Sequence, residues 1–332
     1  MTKDLVKRAL IGSGVLRLGS KLAAKGVALI MYHSVLDDPR CAEKTLGGIS
    51  HSTAVFRGQM ELITRHFKAV TIEQVLSFLK GETELPKRSV VITFDDGYAD
   101  NYHLARPILS NLGIPAVFYI TVNCVERHTL PWLARLRFAF LTSDKQVWTD
   151  PHGGTWQMRS NGERVRAFDL ACEYMAKLSG APQDELLAAI CGGLEAEAPN
   201  IPNTVMMTWD EVRGLAKQGY TVGSHTMNHP NMAWVKEEDA RVEFCESKRL
   251  LERELNSGIT HFSYPCPVLQ PHWKGRTVDL SREAGYNTAV TTNGGIVRKN
   301  DDPLSLRRVR PTKTVEGLRW NLECIFAGRP RQ

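Results

Sequence analysis

Ser89-Val-Val-Ile-Thr-Phe94, followed at once by Asp95-Asp96-Gly97-Tyr98, is the stretch whose reading decides the fold. Its first six residues are apolar or β-favouring without alternation, as in a strand buried on both faces of a parallel sheet. It ends on two carboxylates and a glycine. Upstream, Gly26-Val-Ala-Leu-Ile-Met-Tyr32 reads the same way and delivers His33 at its carboxyl end. Between the two runs, residues 56–67 and 72–79 have helical spacing. Thr71 is the expected N-cap of the second, with Glu73 and Gln74 in its first turn. Downstream, residues 102–112 form an expected helix stopped by Gly113, and residues 116–122 a third strand. Strand, helix and strand in quick succession require parallel pairing with crossover helices.

The same rhythm returns later in the chain. Residues 209–217 and 237–255 are expected helices, and residues 220–223, 260–264 and 288–292 expected strands. Eight or so strand candidates alternating with helices give an α/β chain, an irregular or incomplete (β/α) barrel. The stretch 125–203 interrupts the pattern with Pro131, Trp132, the turn Asp150-Pro-His-Gly-Gly154, and helical segments at 165–178 and 184–194. It is expected to be a helical insertion dividing the barrel into 26–124 and 204–325.

With 332 residues, 42% hydrophobic and 23% charged, the chain falls outside the disordered and fibrous classes. A net charge of +6 is compatible with an anionic membrane surface or an acidic polymer. It is far from the basic stripe of a nucleic-acid binder, and no nucleic-acid partner is expected. Seven cysteines, an odd number with no CxxC pair, argue against a disulfide framework and a cysteine zinc site, and fit a reducing compartment. In residues 1–25, lysines and arginines interrupt every apolar run. We therefore expect no signal peptide or transmembrane helix, a cytoplasmic location, and an amphipathic helix over 1–25 resting on a membrane surface or packed on the domain.

Two acids at a barrel strand's carboxyl end can face one pocket and divide labour between metal ligand and base. Taken alone, Asp95-Asp96-Gly97 also reads as a turn. Ser224-His225-Thr226-Met227-Asn228-His229-Pro230 sets two histidines four apart, expected on one side of a helical turn, where they suit a divalent metal. Together, an Asp and two His leave coordination positions open for water and substrate. A third strand end is Phe262-Ser-Tyr-Pro-Cys-Pro267.

In this order, the stretches TFDDGY, SHTMNH and FSYPCP resemble the first three motifs of the polysaccharide deacetylase family, the NodB-like carbohydrate esterases. Met207-Thr-Trp-Asp-Glu211, before the second motif, also resembles the family. The similarity covers most of 27–124 and 200–310. Asp96 and His225 lie 129 positions apart, a longer separation than in compact members. The resemblance implies Asp95 as catalytic base and Asp96, His225 and His229 as ligands of one divalent ion, zinc first, with cobalt or nickel also suited. Thr226 would orient a ligand histidine, and the Cys266 N–H would meet the oxyanion. Tyr98, Tyr264 and Pro267 would line the substrate cleft.

Typical members draw a general acid from a Leu-x-His segment near the C-terminus, and this chain has none there. Met31-Tyr-His33-Ser-Val35 instead resembles the biofilm and exopolysaccharide subgroup, in which the acid comes from the N-terminal side; His33 is then the implied acid. Arg308, in Leu306-Arg-Arg-Val309, would steady the base, with a surface ion pair as the alternative. Ser263 and Pro267 depart from the third motif, and Pro267 offers no N–H. The expected activity is removal of N-acetyl groups from amino sugars of a polysaccharide or glycolipid precursor, with an N-acetylated glycan or lipid-linked sugar as partner. The rivals are a deformylase or other N-acyl hydrolase on a lipid-linked sugar, and a catalytically silent glycan-binding module.

Overall fold

The computed structural model describes residues 26–196 and 205–328. The helix expected over 1–25 lies outside the described residues.

Seven parallel strands close a barrel: β1 (Val27–Tyr32), β2 (Ser89–Phe94), β3 (Ala116–Ile120), β4 (Thr221–Ser224), β5 (His261–Ser263), β6 (Thr288–Gly294) and β7 (Leu306–Val309). The ring closes because β1 pairs with both β2 and β7, with Leu29 opposite Val91 on one side and Arg308 on the other. A two-residue strand, Lys68–Ala69, pairs with Ser89 and Val90 below the point where β3 takes over at Ile92. The barrel is thus irregular, with seven strands in the ring.

Strand alternation divides the core into two faces. Val27, Leu29, Val91, Val117, Tyr119, Val290 and Leu306 pack together in one cluster, joined by Ile72 and Val75 of the helix Ile72–Leu79. Their neighbours Ala28, Ile30, Tyr32, Ile92, Phe94 and Phe118 pack against the surrounding helices. Phe94 stacks on Phe118 at 4.9 Å, and Tyr32 meets Phe56 edge-on at 5.1 Å. Each such buried side chain contributes on the order of 1.5–3 kcal/mol. The six-residue runs of β1 and β2 lack alternation because both faces are covered.

Local capping sets the helices. Thr71 and Gln74 form a reciprocal capping box at Ile72–Leu79, and Thr208 and Glu211 do the same at Trp209–Lys217. Met207-Thr-Trp-Asp-Glu211 is therefore a helix start.

The stretch expected to be a helical insertion contains the helices Trp132–Thr142, Asn161–Met175 and Ala181–Gly193 around its own core of Trp132, Leu136, Phe140, Trp148, Met158 and Leu187. It also contains an antiparallel hairpin, Val147–Thr149 with Thr155–Gln157, that a purely helical reading omits. Asp150 makes that hairpin: its carboxylate accepts from the His152 and Gly154 N–H groups and from Trp156 Nε1. Among the described residues, no helix is long and apolar enough to cross a membrane.

Candidate active site

Alternation carries Val91, Thr93 and then Asp95 toward the barrel axis, and it would send Asp96 the other way. Asp96 instead has φ +77°, a left-handed conformation uncommon for a non-glycine residue, which breaks the alternation. Both carboxylates consequently line one cleft of about 340 Å³ at the carboxyl ends of the strands.

Asp96, His225 and His229 converge there, all buried, with one donor atom from each lying within 4.8 Å of the others. Nε2 of each imidazole stands 3.4 Å from Asp96 Oδ1. His225 Nδ1 is 2.7 Å from the Ser263 carbonyl, a contact that leaves Nε2 for the cleft. Asp96 Oδ1 is buried and accepts no hydrogen bond. A buried carboxylate oxygen facing two imidazole nitrogens, without a donor, fits a divalent cation. Burial works against charge on Asp96, but the neighbouring imidazoles of His225 and His229 override it and hold its pKa well below the ordinary carboxylate value. Burial pulls His229 down to about 4.

The two histidines do not share a helical turn. Thr226 at φ +70° and His229 at φ +58° take residues 225–229 out of the right-handed helix. The bend is held by side chains. The His229 N–H donates to Thr226 Oγ1 at 2.9 Å, so Thr226 acts on the histidine's backbone, and Trp132 Nε1 donates to the His229 carbonyl. Glu243, buried on the helix Glu237–Leu255, accepts from the Met227 and Asn228 N–H groups, Asn228 Nδ2 and the Ser179 hydroxyl. Glu243→Ala should weaken zinc binding about 10- to 100-fold in a chelator competition, because the loop loses the acceptor of three N–H donors. Unchanged affinity in a folded variant would refute that role.

Asp95 meets Arg308 in a bidentate pair at 2.7 and 2.8 Å. The pair is fully buried, which corrects the surface alternative; Arg308 also donates to the Thr291 carbonyl and Ser263 Oγ. The guanidinium thus reaches the Asp95 carboxylate from β7, on the neighbouring side of the barrel. Burial would raise the Asp95 carboxyl; the Arg308 and His225 charges outweigh it and hold it low.

His33, half-buried after β1, lines the same cleft, and burial holds its imidazole below the ordinary value. Its carbonyl accepts from Asn101 Nδ2, while Asp100 accepts from the Ser34 hydroxyl and the Val35 N–H. Tyr98, Cys266 and Pro267 also line the cleft. Tyr264 does not. Phe262 and Tyr264 share the outward face of β5 and its extension, and the Tyr264 hydroxyl donates to the Leu304 carbonyl in the outer core. Only Ser263 between them turns inward.

Glu243, Asp100, His51 and Arg137 were not singled out from sequence. Glu243 had a signal: it occupies an apolar-face position in the series Ala240, Glu243, Phe244, Ser247, Leu251. His51 and Arg137 carry none, since their place in the cleft wall comes from folding.

A closed parallel barrel with an aspartate–histidine–histidine cluster beside a second carboxylate at its carboxyl end defines the class. The chain belongs to the polysaccharide deacetylase family, whose model matches residues 82–289. The family is metal-dependent, and this cluster is where a metal fits. YxkH of Bacillus subtilis (strain 168), an inferred polysaccharide deacetylase, is 19% identical over 291 residues, 87% of this chain and 72% of that one. The poly-beta-1,6-N-acetyl-D-glucosamine N-deacetylase of Escherichia coli (strain K12) is 29% identical over 147 residues, which are 44% of this chain but only 20% of that protein. Among solved structures, the deacetylase PplD of Streptococcus pyogenes aligns with a TM-score of 0.59 at 19% identity, covering 88% of this chain and 96% of that one. IcaB of Ammonifex degensii aligns at 0.58 and 18%, covering 91% and 98%. Both share the fold.

Proposed function

We propose that the protein hydrolyses N-acetyl groups from amino sugars of a polysaccharide, using a divalent ion, zinc by preference, held by Asp96, His225 and His229. The observation that carries this reading is the pairing, in one cleft, of a donor set whose buried Asp96 oxygen lacks a hydrogen bond with a separate carboxylate fixed by Arg308. Bound there, the ion would polarise the acetyl carbonyl and lower the pKa of a water. Asp95 takes the proton of the attacking water. Arg308 keeps Asp95 ionised and fixes the plane of its carboxylate. The Cys266 N–H stabilises the oxyanion of the tetrahedral intermediate.

The leaving amine needs a proton, and His33 supplies it. Asp100 and Asn101 support this role by holding residues 33–35 in place. His33→Ala should slow turnover about 100-fold or more at unchanged metal content; full activity in that variant would remove His33 as the acid.

The test of the whole reading is release of acetate, with formate followed in parallel, from N-acyl amino-sugar oligomers by protein loaded with zinc, cobalt or nickel. Acetate is the expected product. Formate alone would replace deacetylation by deformylation. No acid from any oligomer, despite bound metal, would refute hydrolysis and leave the binding-module alternative.

A further inference from the structure

The cleft carries more positive charge than a neutral sugar calls for. Among the described residues its only carboxylates are Asp95, neutralised by Arg308, and Asp96, given to the proposed metal; yet Arg137, Arg310 and Lys313 line it as well. Elsewhere the fold pairs its arginines generously: Arg213, Arg241 and Arg276 each meet two carboxylates.

Arg137 is the informative member. It is half-buried on the helix Trp132–Thr142, stands 5.5 Å from the Phe168 ring centroid, and among the described residues pairs with no carboxylate. Burial lowers its pKa, and no carboxylate is among the groups that oppose the shift. A partly desolvated guanidinium gains most from an anion that arrives with a ligand.

Arg137 and Lys313 flank a single turn. A Cβ at Gly47 would stand 3.1 Å from Arg137 Nη1, and Lys313 Nζ donates to the Gly48 carbonyl at 2.6 Å. Gly47 has φ +64°, which a side chain adopts only with strain, so the turn leaves this wall open to the guanidinium. Arg310, exposed, acts from the side of Cys266 and His272, whose titration its charge influences.

We propose that Arg137, Lys313 and Arg310 form an anion subsite, so that the N-acetylated sugar substrate carries a carboxylate or a phosphate close to the acetamide that reacts. This rests on the deacetylase reading and narrows its substrate class.

The experiment compares three probes of equal length on the zinc-loaded full chain: a neutral N-acetylglucosamine oligomer, one alternating N-acetylglucosamine with glucuronate, and one bearing 6-phosphates. We expect kcat/KM for acetate release to be at least about tenfold higher for a charged probe and to fall toward the neutral value as salt is raised. The better charged arm tells carboxylate from phosphate. Arg137→Gln and Arg310→Gln should each shrink the charged-to-neutral ratio by about tenfold; because Arg310 is exposed, its variant keeps the test readable should Arg137→Gln fold poorly. Neutral and charged probes cleaved equally, or a ratio unmoved by the substitutions, would overturn the subsite and leave deacetylation standing. Acetate from none of the three would refute both.

Discussion

Asp95→Asn should lower the rate of acetate release by about two to four orders of magnitude while leaving zinc content unchanged. The amide is isosteric with the carboxylate but cannot take a proton from water at neutral pH, whereas the proposed ligands Asp96, His225 and His229 stay in place. Asparagine keeps one acceptor for Arg308 and loses the charge, so the melting temperature should fall as well. Rates are therefore to be taken well below the unfolding midpoint, with metal content measured on the same sample. A variant within about tenfold of the parent would exclude Asp95 as the base. Loss of zinc in step with activity would make Asp95 a ligand instead.

Arg308→Met should cost about 3–5 kcal/mol of folding stability, the typical penalty for removing one partner of a buried ion pair. Arg308 is 1% exposed and Asp95 2%, so the abandoned carboxylate has no water to turn to. The double variant Asp95→Leu, Arg308→Met should regain at least half of that loss, because no charge is then left unpaired. Denaturant unfolding of the parent, both single variants and the double gives the coupling directly. A cost below about 1 kcal/mol for Arg308→Met would show that the pair is solvated in solution. Activity separates the roles: Arg308→Met should lose turnover with its zinc retained, since Arg308 touches the proposed base and none of the ligands.

Much of the barrel was legible because its strands are short apolar runs bounded by turn residues, and its helices carry caps. The helices Ile72–Leu79, Trp209–Lys217 and Glu237–Leu255 have the bounds read from spacing. The hairpin at 147–157 was hidden because Val147–Thr149 and Thr155–Gln157 are too short for periodicity to register, and the Asp150 carboxylate organises them across the turn. Tyr264 was misplaced by treating the third motif as one block, although alternation turns alternate residues to opposite faces.

By itself, the sequence determined which residues end the strands: Asp95 and Asp96 after β2, His225 after β4, His33 after β1. That information is local, carried by hydrophobic runs and their polar stops. Only the tertiary structure decided how those ends meet. The left-handed turn at Asp96 brings its carboxylate into the cleft with Asp95, and the Glu243 clamp bends 225–229 so that both imidazoles face Asp96. Arg308 reaches Asp95 across 213 positions because barrel closure sets β7 beside β1 and β1 beside β2. Arg137 enters the same cleft wall from a helix with a core of its own. These are contacts between distant segments, and no pattern within a short window of sequence encodes them.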